Sequence, residues 1–347
     1  MEKIKNLLRE TNLDAVLLLD EINGFYFTKF QAEDSVVLAF FDRVILFLDK
    51  RYLYEGQNAP LPPFVEVREG GALEAYLTLQ ETGAKRVGLD YGKTTLKDLE
   101  KVDSGEFTFL DVSKELISLR SVKSQDEIDI IKENCLLCDE AFTQFKNRIQ
   151  VGMTELDAVY ELEYLFKRSK GQRAFQTIVA FGENSAVPHH KPNDAKLNSR
   201  DIILVDFGIY KNGYASDMTR TFFIGDATKK QREVYEIVKG AHLLVMEKAN
   251  VFLSCKDVDK LARDEITRLG YGEYFTHSLG HGVGLEIHEA PYFSKVSNHS
   301  LKKGQIITVE PGVYLSGEFG VRLENTVLCD GERLIPLSKV GLNLEII

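Results

Sequence analysis

The sequence predicts an α+β protein of two domains, a small α/β domain over residues 1–120 and a larger α+β domain over residues 121–347. The chain of 347 residues is longer than one ordinary compact core accommodates. Up to about residue 120, short apolar stretches alternate with helical ones, as in an α/β domain. Beyond that point, long amphipathic helices are followed by hairpin signals, which indicates helices packed against antiparallel strands.

In the first domain, four short runs of β-branched or bulky apolar residues predict strands: AVLLL, SVVLAFF, RVILFLD and RVGLD. Between them, ALEAYLTLQETG has helical spacing and ends at Gly83. The domain contains no histidine or cysteine and no cluster of residues with evident chemistry. We therefore expect it to be a scaffold or a lid.

In the second domain, polar residues mark the helix ends. Ser124 and Glu127 form a capping box, which opens a long amphipathic helix, and further helices are expected from Thr154 and from Ser254. The last of these should end at Gly270. The first helix carries Cys135 and Cys138 on its apolar stripe, and no second cysteine pair is available for a zinc site, so we expect both cysteines in the core.

Composition limits the partners. The formal net charge is −10, and no strong basic patch interrupts it, so neither nucleic acid nor an anionic membrane is an expected partner. The first residues contain no apolar run long enough for a signal peptide or a membrane span. Together with four cysteines that show no disulfide framework, this predicts a cytoplasmic protein.

The segment DIILVDFGIYKNGYASDMTRTFFIG predicts a hairpin that turns at Asn212-Gly213. In this register Asp206 lies opposite Thr219, and Asp217 lies on the same face as Asp206 because side chains alternate along a strand. The two carboxylates are then diagonal neighbours within about 8 Å, close enough to share a ligand.

The segment QIITVEPGVYLSGEFGVRLENTVLC predicts a second hairpin, centred on Gly317, which places Glu310 opposite Glu324. Like charges facing each other across strands are destabilising, and more so among apolar neighbours. The register differs from this one, or one carboxyl group is protonated, or a cation lies between them. With two such acidic pairs in one domain, a cation is the most economical explanation.

The segment GHGVGLEIHEAP contains His281 between two glycines, with His288 seven residues later. The glycine spacing is not that of a phosphate-binding loop, and no helical His-Glu-x-x-His zinc motif is present. Glycines beside His281 allow other backbone or a substrate to approach closely. Carboxylates combined with one imidazole suit manganese, cobalt or zinc, so we expect His281 to join the four acids as a metal ligand.

The segments ILVDFGIYKNGYASDMTRTF, HSLGHGVGLEIHEAP, TVEPGVY and GVRLENTV resemble, in order and spacing, the motifs of the proline-specific metallopeptidases. These are aminopeptidase P and proline dipeptidase (prolidase), which share the pita-bread fold with methionine aminopeptidase and creatinase. The resemblance covers essentially the whole chain. It implies a creatinase/prolidase-like domain over residues 1–120 and a pita-bread catalytic domain over residues 121–347.

The resemblance also implies a dinuclear site for two divalent ions, manganese above all, with cobalt or zinc as alternatives. Asp206 and Asp217 would bind from the first hairpin, and Asp217 would bridge the ions. His281 and Glu310 would complete the shell of one ion, and Glu324 would be the second bridge. Two such ions offset the repulsion between the acids and lower the pKa of a water that bridges them towards neutrality, which yields a hydroxide nucleophile.

Four residues are expected to act on the substrate or beside it. Glu310 resembles the proton shuttle of the family, and His288 and His189 match its two histidines that are not ligands and donate hydrogen bonds to the reacting carbonyl. Arg322 matches an arginine near the metal centre, where it can hold a ligand carboxylate. His190 is expected to be a loop residue.

The predicted function is hydrolysis of the Xaa-Pro bond at the N-terminus of peptides, as in an Xaa-Pro aminopeptidase that forms a homodimer. The alternative is an Xaa-Pro dipeptidase. Tyr292 favours the aminopeptidase, because several prolidases carry at this position an arginine that can bind the carboxylate of a dipeptide. The other hypotheses are a catalytically inactive pita-bread module that binds peptides, a metal-free creatinase-like hydrolase, and a methionine aminopeptidase. The intact ligand set disfavours the first two, and the N-terminal domain disfavours the third.

Overall fold

The computed structural model describes residues 1–102 and 105–347 of the chain, which divide into two compact units, Met1–Arg120 and Ser121–Ile347. Among these residues, no helix is both long enough and apolar enough to cross a membrane.

The first unit contains one sheet of six strands with helices between them. The helices are α1 (Glu2–Thr11), α2 (Glu21–Thr28), α3 (Leu53–Asn58), α4 (Ala72–Thr82), α5 (Leu96–Glu100) and α6 (Ser113–Ser121). The strands are β1 (Ala15–Leu18), β2 (Val36–Ala39), β3 (Val44–Leu48), β4 (Val65–Glu69), β5 (Arg86–Leu89) and β6 (Thr108–Asp111), in the sheet order β4-β3-β2-β1-β5-β6. Pairs β3–β4, β1–β5 and β5–β6 are parallel, and the others are antiparallel.

The four strands predicted from apolar runs correspond to β1, β2, β3 and β5. The predicted helix is α4, and Gly83 follows it with a positive φ of 71°. Strands β4 and β6 were not predicted because their sequences, VEVRE and TFLD, lack an apolar run; they form the two edges of the sheet, where polar side chains reach solvent.

The second unit contains the remaining helices and strands. The helices are α7 (Gln125–Lys146), α8 (Glu155–Arg168), α9 (Lys229–Lys248) and α10 (Cys255–Arg268), with short 3₁₀ turns at Gly182–Ala186 and Gly272–Tyr274. The strands are β7 (Gln172–Arg173), β8 (Ile178–Phe181), β9 (Ile202–Phe207), β10 (Ile209–Lys211), β11 (Tyr214–Ala215), β12 (Met218–Phe223), β13 (Gly280–Gly282), β14 (Glu289–Phe293), β15 (Ile306–Val309), β16 (Gly312–Leu315), β17 (Phe319–Arg322), β18 (Asn325–Cys329) and β19 (Leu334–Pro336).

Every pair of these strands is antiparallel, which confirms the α+β prediction. The sheet orders are β11-β10-β7, β12-β9-β8, β14-β13-β15-β18-β19 and β16-β17. Helices α7 and α8 pack on one face of the β9–β12 ribbon through residues such as Phe142, Phe166 and Phe207. Helices α9 and α10 pack in the same way on one face of β15–β18, where Val238, Ala262 and Val309 lie in a single apolar cluster.

The predicted helix ends are confirmed. Ser124 caps α7 and forms the capping box with Glu127, Thr154 caps α8 and Ser254 caps α10. Gly270, with a φ of 89°, lies two residues beyond the last residue of α10. Cys135 and Cys138 are buried on α7 as free thiols, which agrees with the core role predicted for them.

Gly208 lies where the first hairpin passes from one sheet to another, between β9 and β10. A Cβ atom at this position would lie 1.9 Å from the carbonyl oxygen of Ser216 on the returning strand. The two backbones therefore approach each other more closely than any side chain allows, and the hairpin can cross between the sheets.

We predict that Gly208→Ala destabilises the second unit by about 2–3 kcal/mol, because the ribbon must separate to admit the methyl group. Gly240→Ala is the matched control. Gly240 is exposed in α9 with no atom within 4 Å of its added Cβ, so this change should raise stability by about 0.5–1 kcal/mol. Urea unfolding of both variants measures the difference, and equal midpoints would contradict the close approach at Gly208.

Candidate metal centre

The first hairpin brings Asp206 and Asp217 to one face of its ribbon. Asn212 and Gly213 form the turn with φ values of 54° and 83°, as a two-residue turn with a right-handed twist requires. The strands pair with Asp206 opposite Thr219, as predicted. Odd-numbered side chains of β9 pack under α7 and α8, so that Asp206 points to the other face.

The second hairpin places Glu310 and Glu324 at a gap in its ladder. Val309 pairs with Asn325 on one side of the gap, and Gly312 pairs with Arg322 on the other. One register therefore runs through both sheets and puts the two glutamates opposite each other, as predicted. Odd-numbered residues of this ribbon lie in the apolar cluster under α9 and α10, so both carboxylates face away from the helices.

His281 reaches the same place from β13, which lies between β14 and β15. A Cβ atom at Gly280 would lie 2.0 Å from the carbonyl oxygen of Thr308, and one at Gly282 would lie 2.4 Å from that of Ala290. The glycines on both sides of His281 thus let the neighbouring strands close around it. His281 is the only residue of this three-residue strand that has a side chain, because the other two are glycines.

The four acids and His281 line one cavity of about 330 Å³. Single ligand atoms of Asp217, His281 and Glu324 lie within 4.8 Å of one another. The Nε2 atom of His281 lies 3.4 Å from Oε1 of Glu310 and 3.6 Å from Oδ2 of Asp217. Asp206 and Glu310 line the cavity beside this group of three, and Arg322 donates to Oδ2 of Asp206 at 2.6 Å. The structure thus brings all five predicted ligands together.

Burial and mutual repulsion raise the pKa values of three of these carboxyl groups. Burial is the first cause in each case. For Asp217 and Glu310, the negative charge of Glu324 adds to the effect of burial, and both pKa values rise well above their usual range. For Glu324, the charge of Asp206 adds to burial, and the pKa rises to about 8. Burial also lowers the pKa of His281 to about 4, so the imidazole is neutral and forms no ion pair with the acids around it.

The side chains of this cluster suit a divalent cation. One oxygen each of Asp206, Asp217 and Glu324 is buried and has no hydrogen-bond donor within residues 1–102 and 105–347. The Nδ1 atom of His281 lies 3.1 Å from the carbonyl oxygen of Gly282, an arrangement in which Nδ1 donates and Nε2 keeps its lone pair towards the acids. Buried acceptors without donors, beside an imidazole lone pair, are costly unless a cation or protons lie among them.

A second layer of hydroxyl groups and one guanidinium orients the acids. Thr219 donates to Oε2 of Glu324 at 2.6 Å, and Thr308 donates to Oε1 of Glu310 at 3.1 Å. Arg322 donates to Asp206 and, at 2.7 Å, to the hydroxyl group of Tyr314. The threonines and Tyr314 were not predicted. The sequence did contain a signal for them: each lies an even number of residues from a candidate ligand along the same ribbon, so its side chain faces the cavity.

The histidines divide into two groups. His189 and His288 line the cavity, as predicted, and the ring of His288 packs edge-on against that of His281, with the centroids 4.3 Å apart. His190 instead points to Glu155, with Nε2 2.7 Å from its carboxylate, and helps to hold the loop that carries His189. His277, to which the sequence assigned no role, also lines the cavity, and its Nε2 lies 2.9 Å from the hydroxyl group of Tyr314.

Comparison with known proteins agrees with this geometry. The family model for metallopeptidase family M24 matches residues 129–330, and the model for the creatinase/prolidase N-terminal domain matches residues 1–122. The chain is 34% identical over 337 residues to the Xaa-Pro dipeptidase of Pyrococcus furiosus, with 94% of each chain covered.

Two solved structures are similar over the whole chain. The Xaa-Pro dipeptidase from Bacillus anthracis has a TM-score of 0.93 at 34% identity, covering 100% of this chain and 99% of that one. The X-Pro aminopeptidase from Thermotoga maritima has a TM-score of 0.92 at 32% identity, covering 99% of this chain and 100% of that one.

We predict that the metal-free protein loses stability as the pH rises from the ordinary glutamate pKa of 4.5 to about 8. In this window folded Glu324 retains a proton that the unfolded chain has released, so the unfolded state binds fewer protons and raising the pH favours it. Asp217 and Glu310 act in the same direction. A divalent cation such as Mn²⁺ would replace these protons on binding, and it should therefore raise the unfolding temperature more at about pH 8 than at about pH 5.

Calorimetry of chelator-treated protein, with and without Mn²⁺, measures both effects. Glu324→Gln is the control, because it removes the carboxyl group with the pKa of about 8 and should reduce the pH dependence, leaving the part due to Asp217 and Glu310. An equal gain from Mn²⁺ at both pH values would show that the ion does not compete with these protons.

Proposed function

The chain belongs to metallopeptidase family M24, and from this membership and the geometry of the site we propose that it is a metal-dependent Xaa-Pro dipeptidase. One observation carries the proposal: four carboxylates and an imidazole converge on a single cavity of about 330 Å³. This volume is at the small end of ligand sites, which span about 300–1,000 Å³, and it suits a dipeptide better than a long peptide. The Xaa-Pro dipeptidases of Pyrococcus furiosus and Bacillus anthracis support the same substrate class.

We propose that the site holds two divalent ions. Asp217 and Glu324, whose ligand atoms lie within 4.8 Å of each other and of one of His281, would bridge the ions, while Asp206, His281 and Glu310 would complete their shells. Oxygen ligands with one imidazole favour Mn²⁺, with Co²⁺ or Zn²⁺ as alternatives. A bound pair of ions supplies an activated water molecule and polarises the carbonyl group of the scissile bond.

The residues of the chain supply the proton transfer and the hydrogen bonds. Glu310 would take a proton from the attacking water and pass it to the nitrogen of the departing proline. Thr308 orients its carboxylate, and burial, acting with the nearby Glu324, raises its pKa well above the usual glutamate range, which favours the uptake of a proton. His189 and His288, which line the cavity without joining the acidic cluster, would donate hydrogen bonds to the carbonyl oxygen as it gains charge.

Arg322 would act through Asp206. Its Nη2 atom lies 2.6 Å from Asp206, while Nη1 also donates to Tyr314 and, at 3.2 Å, to the carbonyl oxygen of Pro188. The guanidinium group thereby ties a ligand to the loop that carries His189. Burial lowers the pKa of His277 to about 3, so this neutral ring can accept a hydrogen bond from Tyr314 and complete the chain of contacts.

An Xaa-Pro aminopeptidase is the second candidate. The sequence favoured it because Tyr292 stands where several prolidases have an arginine, and the structure places the partly exposed Tyr292 at the cavity. The similarity to the X-Pro aminopeptidase from Thermotoga maritima also supports it. The relatives described as Xaa-Pro dipeptidases and the small cavity favour the dipeptidase. An inactive peptide-binding module is disfavoured because all five candidate ligands line the cavity.

We expect kcat/KM for Ala-Pro to exceed that for Ala-Pro-Gly by about tenfold or more, because a third residue must also be accommodated at a cavity of only about 330 Å³. Ala-Ala, which has a secondary amide, is the control for the proline requirement. Steady-state kinetics with Mn²⁺, Co²⁺ and Zn²⁺ measure the ratio. Faster hydrolysis of the tripeptide would establish the aminopeptidase instead, and no hydrolysis of either substrate would reject both.

We also expect His288→Ala to lower kcat by about 100-fold, as the loss of one donor to a developing oxyanion does, while the metal content stays unchanged. His299→Ala is the matched control, because His299 is exposed and does not line the cavity. Elemental analysis of both purified variants accompanies the kinetics. A loss of metal in His288→Ala would assign His288 to the ligands.

A further inference from the structure

A buried ion pair lies beside the metal centre. The Nζ atom of Lys123 is 2.7 Å from Oε1 of Glu289, and the two side chains are 1% and 4% exposed. Neither residue is a candidate ligand or lines the cavity. Two opposite charges so thoroughly removed from water are strongly coupled, because each would lose a close counter-charge if the other were displaced.

Lys123 is anchored to the strand that leads to Glu310. Its backbone N–H donates to the carbonyl oxygen of Gly304 at 2.9 Å, and Val122 bridges Gln305, the residue before β15. The Nζ atom also donates to the carbonyl oxygen of Ser121 at 3.3 Å. The ammonium group therefore has a fixed place relative to the five-stranded sheet.

Glu289 connects this ammonium group to the segment between the two site histidines. It follows His288 directly and opens β14, opposite Gly282. The pairing shifts between His281 and Gly282, so Ala290 and Pro291 have no partner on β13. A Cβ atom at Gly284 would lie 2.3 Å from Oε1 of Glu289, so the carboxylate fills the space beside that glycine.

We propose that the Lys123–Glu289 ion pair positions His288 for its part in the reaction. His288 precedes β14 and so lies outside the ladder, while the shifted pairing leaves Ala290 and Pro291 unpaired on the other side of Glu289. The charged contact of Glu289 fixes this short segment to the sheet. His288 then packs against His281 at the edge of the cavity. The inference rests on the proposed function for the role of His288, and Lys123 and Glu289 act through that residue without touching the substrate.

The test is a mutant cycle between the pair and His288, with an Xaa-Pro dipeptide as substrate. Lys123→Met/Glu289→Gln removes both charges of the pair together. We expect kcat to fall about tenfold or more, as for residues that orient a functional group, with KM within about twofold and the metal content unchanged. In a His288→Ala background the same double change should lower kcat by less than about twofold, because the residue it positions is absent.

Imidazole NMR signals provide a readout that does not depend on activity. The signals of His288, assigned by their absence from His288→Ala, should shift in Lys123→Met/Glu289→Gln. They should not shift in Lys146→Met, which breaks the contact of Lys146 with Glu345 in the same unit. If the double variant does not fold, Lys123→Arg replaces it. This change keeps the charge while its larger head displaces Glu289, so the signals should again shift and kcat should fall.

Multiplicative effects of the pair and of His288→Ala on kcat would overturn the proposal, and so would unshifted His288 signals or a loss of metal. Failure of the wild-type protein to cleave any Xaa-Pro substrate would reject the proposed function. The NMR comparison would still decide whether the pair positions His288.

Discussion

The second unit depends on one constraint, the burial of like charges that face each other across antiparallel ribbons. Glu310 lies opposite Glu324, and Asp206 and Asp217 share the face of the other ribbon. Burial and repulsion keep three of these groups from ionising as they would in water. Such a site is stable when positive charge enters it, so the ribbons, the bare strand around His281 and the threonines together form a receptor for cations.

The same alternation of side chains builds both halves of this receptor. In each ribbon, every second side chain packs under a pair of helices, α7 and α8 for the first and α9 and α10 for the second. The intervening side chains face the cavity, where each ribbon contributes two carboxylates. The helices therefore do more than bury apolar surface. They fix which face of each ribbon is available for ligands, because a slip of one residue would turn every acid into the core.

Local signals in the sequence were sufficient for the hairpins and the caps. Asn212-Gly213 sets one register and Gly317 the other, and both carry their acids to the correct face. Contacts between distant segments left no such signal. The approach of Lys123 to Glu289 spans 166 residues, and that of His190 to Glu155 depends on the path of a loop. The edge strands β4 and β6 were missed because solvent on the sheet edge permits polar sequences there.

The narrow fit around β13 has a consequence for how this site can change. A Cβ atom at Gly280 or Gly282 would lie 2.0 or 2.4 Å from a carbonyl oxygen of a neighbouring strand, so neither position tolerates a larger residue. Substitutions in the strand that presents His281 are therefore excluded at both glycines. Tyr292, opposite His281 on β14, and Val187, next to the lining residue Pro188, are exposed and can be exchanged without moving a strand. New substrate preferences can therefore arise at these exposed positions, while the glycines on both sides of His281 stay unchanged.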